Sequence, residues 1–384
     1  MKNRRGLLAA VIFIVLAMVI SGCNLVQVNE EKDRKTVVAK VNGVEILKGE
    51  VLDRYHSYYG GEVEEYNKEV MLSIVNSLVE EELVRQKAEE AGHVVNQEVL
   101  NRAKEDFEQA VKDYAESLKE LAGEDADPNT DYEQQARDEM KQYIDASGQT
   151  EEEYLELVGK YIAIQDFLDE LTKDITVEES EIEDYYQDQI KFQTEYPSLA
   201  AGYTSVTVVK EPASRLVKHI LIKLSDEDTK AISDLRNEGK DEEADALREE
   251  KLESIKSKAQ NALEKAKSGE DFDKLIEQYG EDPGMEMDEY KDGYKMLRDE
   301  SMMPEFLEAS FKLKEGEISD LVATDYGYHI IKVYEANEDD IIPLEEVKED
   351  IRQVLISQKK SEKADEFIAQ WMEEADIKIY ENRL

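Results

Sequence analysis

Apolar and polar residues alternate most regularly in two short segments, LVKHILIK starting at Leu216 and TDYGYHIIKV starting at Thr324. A period of two is typical of β-strands that bury one face. In each segment the histidine, His219 or His329, shares a face with aliphatic residues, where imidazole needs a hydrogen-bonding partner. If the strands are neighbours, the two Cβ atoms would lie within roughly 5 Å. Two satisfied core histidines and a functional pair both fit this pattern.

Elsewhere the apolar spacing is helical. Segments of about 66–91 and 97–121 carry apolar residues three and four positions apart, and Gly92 stands where a glycine ends a helix. A third long helix is predicted over about 344–374, followed by a short strand at 376–380. The N-terminal region is therefore predicted to be mainly helical.

Turn and capping residues mark further boundaries. An Asn-Gly pair predicts a hairpin over 37–46, because a two-residue turn needs positive φ. Its strands could pair with the C-terminal strand. Thr150 with Glu153, and Thr176 with Glu179, have the spacing of capping boxes and predict two helix starts.

The charge of the chain limits the classes of molecule that it is expected to bind. Among 384 residues, 48 are basic and 92 acidic, which gives a net charge of −44. Nucleic-acid binding depends on Lys and Arg neutralising phosphate, so no nucleic-acid partner is expected. A single cysteine excludes an intramolecular disulfide, and the four histidines show no zinc-ligand spacing, so no metal is expected.

The N-terminus has the features of a secretory signal. MKNRR is positively charged, the 14 residues Leu7–Ile20 are apolar, and Ile-Ser-Gly-Cys follows. The last four resemble a bacterial lipobox, which implies a signal peptide over 1–22, cleavage before Cys23 and acylation of that cysteine. A lipid at Cys23 would hold the chain on the extracytoplasmic face of the cell membrane. The alternative is an uncleaved anchor with an incidental thiol.

Five motifs lie in order between Ser214 and Glu335: His-Ile-Leu-Ile, Glu-Asp-Pro-Gly, Met-x-Pro-Glu-Phe, Leu-Lys-x-Gly-Glu-Ile-Ser and Tyr-Gly-Tyr-His-Ile-Ile. In this order they resemble the parvulin family of peptidyl-prolyl cis/trans isomerases. The flanking segments resemble those of extracytoplasmic foldases of the PrsA and SurA kind. The resemblance implies an α+β fold, in which a small antiparallel sheet with surrounding helices is inserted into a mainly helical chaperone domain.

The resemblance also implies a domain order. After the signal peptide we expect a lipidated tether at 23–35. An N-terminal helical lobe at 36–212 and a parvulin-like domain at 213–336 follow, and a segment at 337–384 returns to the lobe. The charge-dense stretch 225–268 is longer than the family requires, and we interpret it as a solvated helical hairpin that protrudes from the domain.

The family's active-site residues match seven positions. His219, Asp282 and His329 correspond to the catalytic positions. The substrate-binding positions are Met302, Phe306, Thr324 and Tyr326, although relatives often carry a small polar residue at the position of Tyr326, which would line the rim. Isomerisation needs no cofactor, and none is expected.

One loop departs from the family. Relatives carry Gly-Gly-x-Leu-Gly after the Asp-Pro-Gly turn, whereas residues 287–297 read MDEYKDGYKML and retain only Gly293. Tyr294 or Met296 could replace the leucine that lines the pocket in relatives. We expect this departure to affect the catalytic rate more than the fold.

The acidic residues at 125–133 also need an interpretation. Asp125, Asp127, Asn129 and Asp131 alternate as in a calcium-binding loop. The sixth position of such a loop needs glycine and the last needs glutamate, and neither is present. We therefore expect a solvated acidic loop.

These observations predict a membrane-anchored prolyl isomerase and foldase. Its partners would be unfolded or partly folded secreted proteins with Xaa-Pro bonds. The alternative is a non-catalytic holdase chaperone that retains the parvulin fold. A hydrolase is disfavoured, since no serine or cysteine lies in an activating context.

Overall fold

The computed structural model describes residues 30–59, 66–123, 130–299 and 302–384. The signal peptide, Cys23 and most of the acidic loop lie outside these ranges. The chain divides into two compact units. The first combines residues up to Ile175 with Ser357–Leu384, and the second is Thr176–Ile356. The first unit is therefore discontinuous in sequence.

The first unit is mainly helical. Its strands are β1 (Val37–Val41), β2 (Val44–Leu47) and β9 (Ile377–Ile379). Its helices are α1 (Glu30–Arg34), α2 (Lys48–Tyr59), α3 (Lys68–Glu90), α4 (Gln97–Ala122), α5 (Tyr132–Ala146) and α6 (Glu151–Leu171), and α13 (Leu344–Glu374) ends in it.

The strands of this unit form one three-stranded sheet in the order β2-β1-β9. Asn42 and Gly43 join β1 to β2 with φ angles of 50° and 93°, which confirms the predicted hairpin. The C-terminal strand pairs antiparallel with β1, with Ala39 opposite Ile379. A strand near the N-terminus and a strand near the C-terminus therefore pair in one sheet of the first unit, as predicted.

Side-chain caps begin several helices here. The Asn67 side chain accepts the backbone N–H groups of Glu69 and Val70 at the start of α3. At α6, the Thr150 hydroxyl accepts from the Glu153 N–H at 3.2 Å, and the Glu153 carboxylate accepts from the Thr150 N–H at 2.8 Å. This reciprocal pair is the predicted capping box.

The second unit contains a sheet surrounded by helices. Its helices are α7 (Glu179–Glu195), α8 (Pro197–Tyr203), α9 (Asp226–Asn237), α10 (Asp241–Lys267), α11 (Phe272–Tyr279) and α12 (Pro304–Lys312), and α13 begins in it. Its strands are β3 (Val209–Glu211), β4 (Ser214–Lys223), β5 (Tyr294–Met296), β6 (Val322–Thr324), β7 (Gly327–Asn337) and β8 (Asp340–Ile341).

Helix α7 starts later than predicted. Its first residue is Glu179, and the Glu178 N–H donates to the Glu181 carboxylate at 2.9 Å. The predicted start at Thr176 was therefore wrong, because the acidic residues of this segment offer a second capping register two positions downstream. Helix α8 follows α7 directly and ends at Tyr203.

The four-stranded antiparallel sheet has the order β5-β4-β7-β6 and positions the site. One face, with Ile220, Ile222 and Ile330, packs on α10 and α11. The other face, with Val217 and Ile331, packs on α12. The alternation read from the sequence thus corresponds to two buried faces, and both histidines lie on the face that meets α12.

The segment 225–268 is a helical hairpin of α9 and α10, as predicted, but its inner side is packed against the sheet and only its outer side is exposed. Ile232, Ala244 and Leu252 are buried together with Leu224, and the partly buried Ala323 and Tyr328 of the sheet pack on them. The interpretation as a protruding hairpin was therefore wrong, because small and aliphatic residues along its inner side form a core with β6 and β7.

The segments next to the sheet also belong to the second unit. Val206 and Val208 pack with Val347 and Ile351 in a separate core. The expected domain boundaries at 212/213 and 336/337 lie inside this unit. Among the described residues, no helix is both long enough and apolar enough for a membrane span.

Candidate active site

The site is built on the two central strands, β4 and β7. In their antiparallel register His219 lies opposite Ile331, and Leu221 lies opposite His329. The two histidines are therefore diagonal neighbours on one face, two positions apart along the ladder. Diagonal neighbours are within reach of long or aromatic side chains, so the rings can meet above the sheet.

The two imidazole rings are in direct contact. Their Nδ1 atoms are 3.0 Å apart, and the rings stack with centroids 5.1 Å apart and an interplanar angle of 16°. His219 is 4% exposed and His329 is 6% exposed. Buried polar groups of this kind are retained when each has a partner, and here each ring is the partner of the other.

His219 also contacts Asp282, which lies after α11 at the start of a 3₁₀ turn. The distance from His219 Nε2 to Asp282 Oδ2 is 2.7 Å. The Gly284 N–H donates to Asp282 Oδ1 at 3.0 Å, and the Tyr294 hydroxyl donates to Oδ2 at 2.9 Å. Burial raises the pKa of Asp282, but these hydrogen bonds outweigh it and lower the pKa to about 2. Asp282 is therefore ionised at neutral pH.

At the opposite end, His329 meets Thr324. The distance from Thr324 Oγ1 to His329 Nε2 is 2.8 Å, and Thr324 Oγ1 also accepts the backbone N–H of Tyr326 at 3.1 Å. Burial, followed by repulsion from His219, lowers the pKa of His329 to about 3. His329 is therefore neutral at physiological pH.

The ionised carboxylate fixes the direction of the hydrogen bond at its end of the site. An ionised carboxylate only accepts, so His219 Nε2 carries a proton toward Asp282. His219 Nδ1 and His329 Nδ1 then share one proton, so that one of the two atoms donates and the other accepts. At the other end, His329 Nε2 and the Thr324 hydroxyl form a hydrogen bond. The result is one continuous chain from Thr324 to Asp282 in which every donor has an acceptor.

An apolar cluster lies beside this chain. Phe306, 2% exposed, meets both imidazoles edge-on, with ring centroids 5.1 Å from His219 and 5.2 Å from His329. Phe306 is buried with Val217, Met296, Ile331 and Val333, and the partly buried Met302 packs against the same cluster. The chain of polar groups therefore borders an apolar wall.

The structure brings six of the seven expected residues into this arrangement: His219, Asp282, Met302, Phe306, Thr324 and His329. Tyr326 lies at the β6–β7 turn next to Thr324 and is 46% exposed, with its side chain outside the apolar cluster. Cys23 lies outside the described residues.

Tyr294 was expected only as a possible wall residue, and the sequence did not indicate its hydrogen bond to Asp282. Burial, and then the hydrogen bond to Asp282, raise the pKa of Tyr294 above its ordinary value. The Tyr294 hydroxyl therefore stays protonated at neutral pH and donates to Asp282. The sequence offered one indication of this role. Tyr294 directly follows Gly293, the one glycine of the loop that fits the family pattern, and it is the first residue of β5.

Gly293 lies where the surrounding backbone leaves no room for a side chain. Its φ is +116°, and a Cβ built there would lie 2.7 Å from the Val217 carbonyl oxygen. The missing side chain lets the loop approach β4, so that Tyr294 pairs with Val217 at the sheet edge. In the described part of the chain, no cluster of three His, Cys, Asp or Glu residues could hold a metal ion.

Two family models match the chain. The model of the PPIC-type PPIASE domain matches residues 203–337, and that of the SurA-like N-terminal domain matches residues 1–103. The first range contains the whole site described above.

Relatives match over the full length. The foldase protein PrsA of Clostridium botulinum strain Hall is 27% identical over 399 aligned residues, covering 100% of both chains. That of Clostridium perfringens strain 13 is 25% identical, covering 100% of this chain and 98% of the relative.

Similar solved structures include the peptidylprolyl isomerase PrsA from Bacillus cereus, which is 22% identical. The alignment covers 91% of this chain and 96% of that one, with a TM-score of 0.25. Another is a SurA-like chaperone from Campylobacter jejuni, which is 18% identical. The alignment covers 90% of this chain and 100% of that one, with a TM-score of 0.33. With both domain matches in family order and relatives along its whole length, the chain belongs to the PrsA-type foldases, with a PPIC-type peptidyl-prolyl isomerase domain and a SurA-like N-terminal domain.

Proposed function

We propose that His219, Asp282 and His329 are the catalytic residues of this isomerase, and that an Xaa-Pro bond of an unfolded client binds beside them. The observation that carries the proposal is the unbroken hydrogen-bonded chain from Thr324 to Asp282. It borders the apolar cluster around Phe306, so an ordered polar edge and an apolar wall meet at one place.

Prolyl isomerisation needs this combination. Resonance makes the amide planar and sets a barrier of roughly 18–20 kcal/mol. Uncatalysed exchange takes tens to hundreds of seconds and can limit folding. A catalyst must bind the twisted bond more tightly than either planar form, and each 1.36 kcal/mol or so of that preference gives tenfold in rate.

Asp282 supplies the electrostatic part of that preference. In the planar amide the carbonyl oxygen carries partial negative charge from resonance, and twisting the C–N bond removes it. An ionised carboxylate near that oxygen disfavours the planar form. The Asp282 side chain is 20% exposed, so its charge is less screened than at the surface. His219 holds the carboxylate in place, and His329 and Thr324 hold His219.

The apolar wall supplies the binding part. Met302 and Phe306, four positions apart around the start of α12, offer an apolar surface for the pyrrolidine ring. Thr324 fixes the turn that carries Tyr326, and the exposed ring of Tyr326 can cover the client chain at the rim. Phe306 also keeps water from the imidazoles.

The test is prolyl cis/trans exchange in a panel of Xaa-Pro peptides, measured by NMR on the chain from Asn24 onward. Asp282→Asn keeps the size and removes the charge, and we expect the rate enhancement to fall at least about tenfold. The matched control is Asp273→Asn, which removes an exposed partner of Lys218 at the far side of β4.

A folded Asp282→Asn variant with unchanged turnover would sink the proposed role. A wild type without turnover on every peptide would instead favour the holdase, and suppression of client aggregation would then be measured.

We further propose that Cys23 is acylated and anchors the foldase outside the cytoplasmic membrane, where it assists secreted proteins. The charged n-region, the apolar stretch and the Ile-Ser-Gly-Cys sequence support this. Mass spectrometry of the N-terminal peptide from membranes tests it. A diacylglyceryl adduct on Cys23 that is absent from Cys23→Ser supports the anchor, whereas an unmodified Cys23 in an uncleaved chain contradicts it.

A further inference from the structure

The hairpin of α9 and α10 reaches the turn that carries two of the site residues. Asp325 lies in the β6–β7 turn, between Thr324 and Tyr326. Its carboxylate accepts from Arg236 twice, with Nε at 3.1 Å from Oδ2 and Nη2 at 3.2 Å from Oδ1. Arg248 Nη1 lies 3.5 Å from Oδ1 of the same carboxylate. One acidic side chain of the turn is therefore held by an arginine from each helix of the hairpin.

Arg248 also contacts the other edge of the site. Its Nη1 atom lies 3.3 Å from the Glu305 carboxylate. Glu305 is the second residue of α12, directly before Phe306. A single guanidinium therefore bridges the turn of Thr324 and Tyr326 to the first turn of the helix that carries the apolar wall.

Burial strengthens this bridge. The Arg248 side chain is 19% exposed and Asp325 is 22% exposed, so the network is less screened than the surface ion pairs of the same hairpin. A planar guanidinium stays charged and holds several carboxylates in fixed directions, which an ammonium does not. The packing of Ala323 and Tyr328 on the hairpin core supports the same turn from the apolar side.

The hairpin is also joined to the turn through its backbone. The Leu224 N–H, one residue before the N-cap of α9, donates to the Tyr326 carbonyl at 2.8 Å. The Tyr326 N–H donates to Thr324 Oγ1, whose hydroxyl reaches His329. Two hydrogen bonds therefore connect the turn that carries Asp325 to the histidine chain.

We propose that Arg248 is a positioning residue of the isomerase, and that the hairpin exists to hold the β6–β7 turn against the start of α12. Arg248 touches no reacting atom. It fixes the distance between Tyr326 at the rim and Phe306 in the wall, and it keeps Thr324 aligned with His329. This inference rests on the proposed active site.

The test is Arg248→Met in the full chain, which keeps the aliphatic stem and removes the charge. We expect kcat/KM for Xaa-Pro peptides to fall about three- to tenfold, mainly through KM, because the client contacts at the rim are less ordered. The ¹⁵N signals of the His329 ring are expected to shift or broaden as Thr324 loses its alignment. The control is Lys230→Met, which removes an exposed ion pair with Asp234 in the same hairpin.

Two comparisons decide the outcome. Arg248→Met that is folded by circular dichroism, with kcat/KM and His329 signals equal to those of Lys230→Met, overturns the proposal. If Arg248→Met does not fold, Glu305→Gln removes one arm of the bridge at a side chain that is 44% exposed. Unchanged KM and His329 signals in Glu305→Gln then overturn the proposal, and a raised KM with shifted signals supports it.

The same series includes Asp282→Asn. Turnover that survives in Asp282→Asn contradicts the proposed catalytic residues whatever Arg248→Met does. Turnover that depends on Asp282 but not on Arg248 contradicts only the positioning role. The two proposals therefore fail in different measurements.

Discussion

The Tyr294 hydroxyl donates a hydrogen bond to the Asp282 carboxylate at 2.9 Å, on the same oxygen that His219 contacts at 2.7 Å. The altered loop therefore supplies a polar group to the centre of the site. A loop that departs from the family pattern has in this chain become part of the electrostatic environment of the carboxylate.

Replacing Tyr294 tests this role directly. Tyr294→Phe removes a hydrogen bond to a charged group, which is worth about 1.5–3 kcal/mol to the ionised form. We expect the pKa of Asp282 to rise by about one to two units, visible in a ¹³C carboxyl titration, and turnover to fall several-fold. Tyr290→Phe is the control, because its ring lies next to Tyr294 without a hydrogen bond to Asp282. Equal Asp282 pKa values in both variants would contradict the role.

Met302→Ala separates client binding from stability. Met302 is partly buried against the cluster around Phe306, so truncation removes wall surface and leaves the sheet intact. We expect KM to rise about three- to tenfold, while the free energy of unfolding falls by less than about 2 kcal/mol. Met287→Ala, at a side chain that is 55% exposed, is the control. A fall in kcat at constant KM would speak against a binding surface at Met302.

The stability of the second unit should fall in acid. The pKa of His329 is about 3 in the folded chain and 6.5 by its ordinary value, so the unfolded chain binds more protons between these pH values. The stability contributed by neutral His329 is present above pH 6.5 and is lost as the pH falls toward 3. The pKa of Asp282, lowered from 3.8 to about 2, adds a further loss below pH 4.

Hydrogen exchange of the Ile220 and Ile330 amides, at the centre of the sheet, measures this dependence. We expect protection to decline between pH 7 and 4, and His329→Gln to remove on the order of 3 kcal/mol of that decline. A pH dependence that is identical in wild type and His329→Gln would show that His329 is not buried in its neutral form.

Gly293→Ala tests why one glycine of the loop is retained. Gly269 also has positive φ, +91°, but a Cβ there meets nothing within 4 Å, whereas one at Gly293 meets the Val217 carbonyl oxygen. We expect Gly269→Ala to cost about 1–2 kcal/mol by calorimetry and Gly293→Ala to cost more. Gly293→Ala should also reduce turnover, since β5 carries Tyr294. Equal costs at the two positions would mean that the loop adjusts.

The two strands with histidines could be predicted because their pattern is local. A period of two assigns a face to each residue, whichever strand lies alongside. His219 and His329 therefore had to share faces with aliphatic residues, and the structure places both on the face that meets α12. Their diagonal offset was not readable, because it depends on the register of β4 against β7.

The hairpin of α9 and α10 could be predicted as helices but not as a packed element. Its charge density suggested a solvated surface. Arg236 and Arg248 in fact pair with Asp325, about 80 to 90 residues further along the chain. Charge alone does not show which side of a helix meets a carboxylate on another element.

The sequence by itself determined the faces of the strands, the hairpin at Asn42 and Gly43, the capping box at Thr150, and the order of the motifs around His219 and His329. Each depends on a short stretch of chain, where backbone geometry and side-chain chemistry act over a few residues. The tertiary structure alone decided which oxygen of Asp282 two donors share, and that Arg248 bridges two edges of the site. Those relations join atoms that are distant in sequence, and a hydrogen bond forms only when folding brings them within about 3 Å.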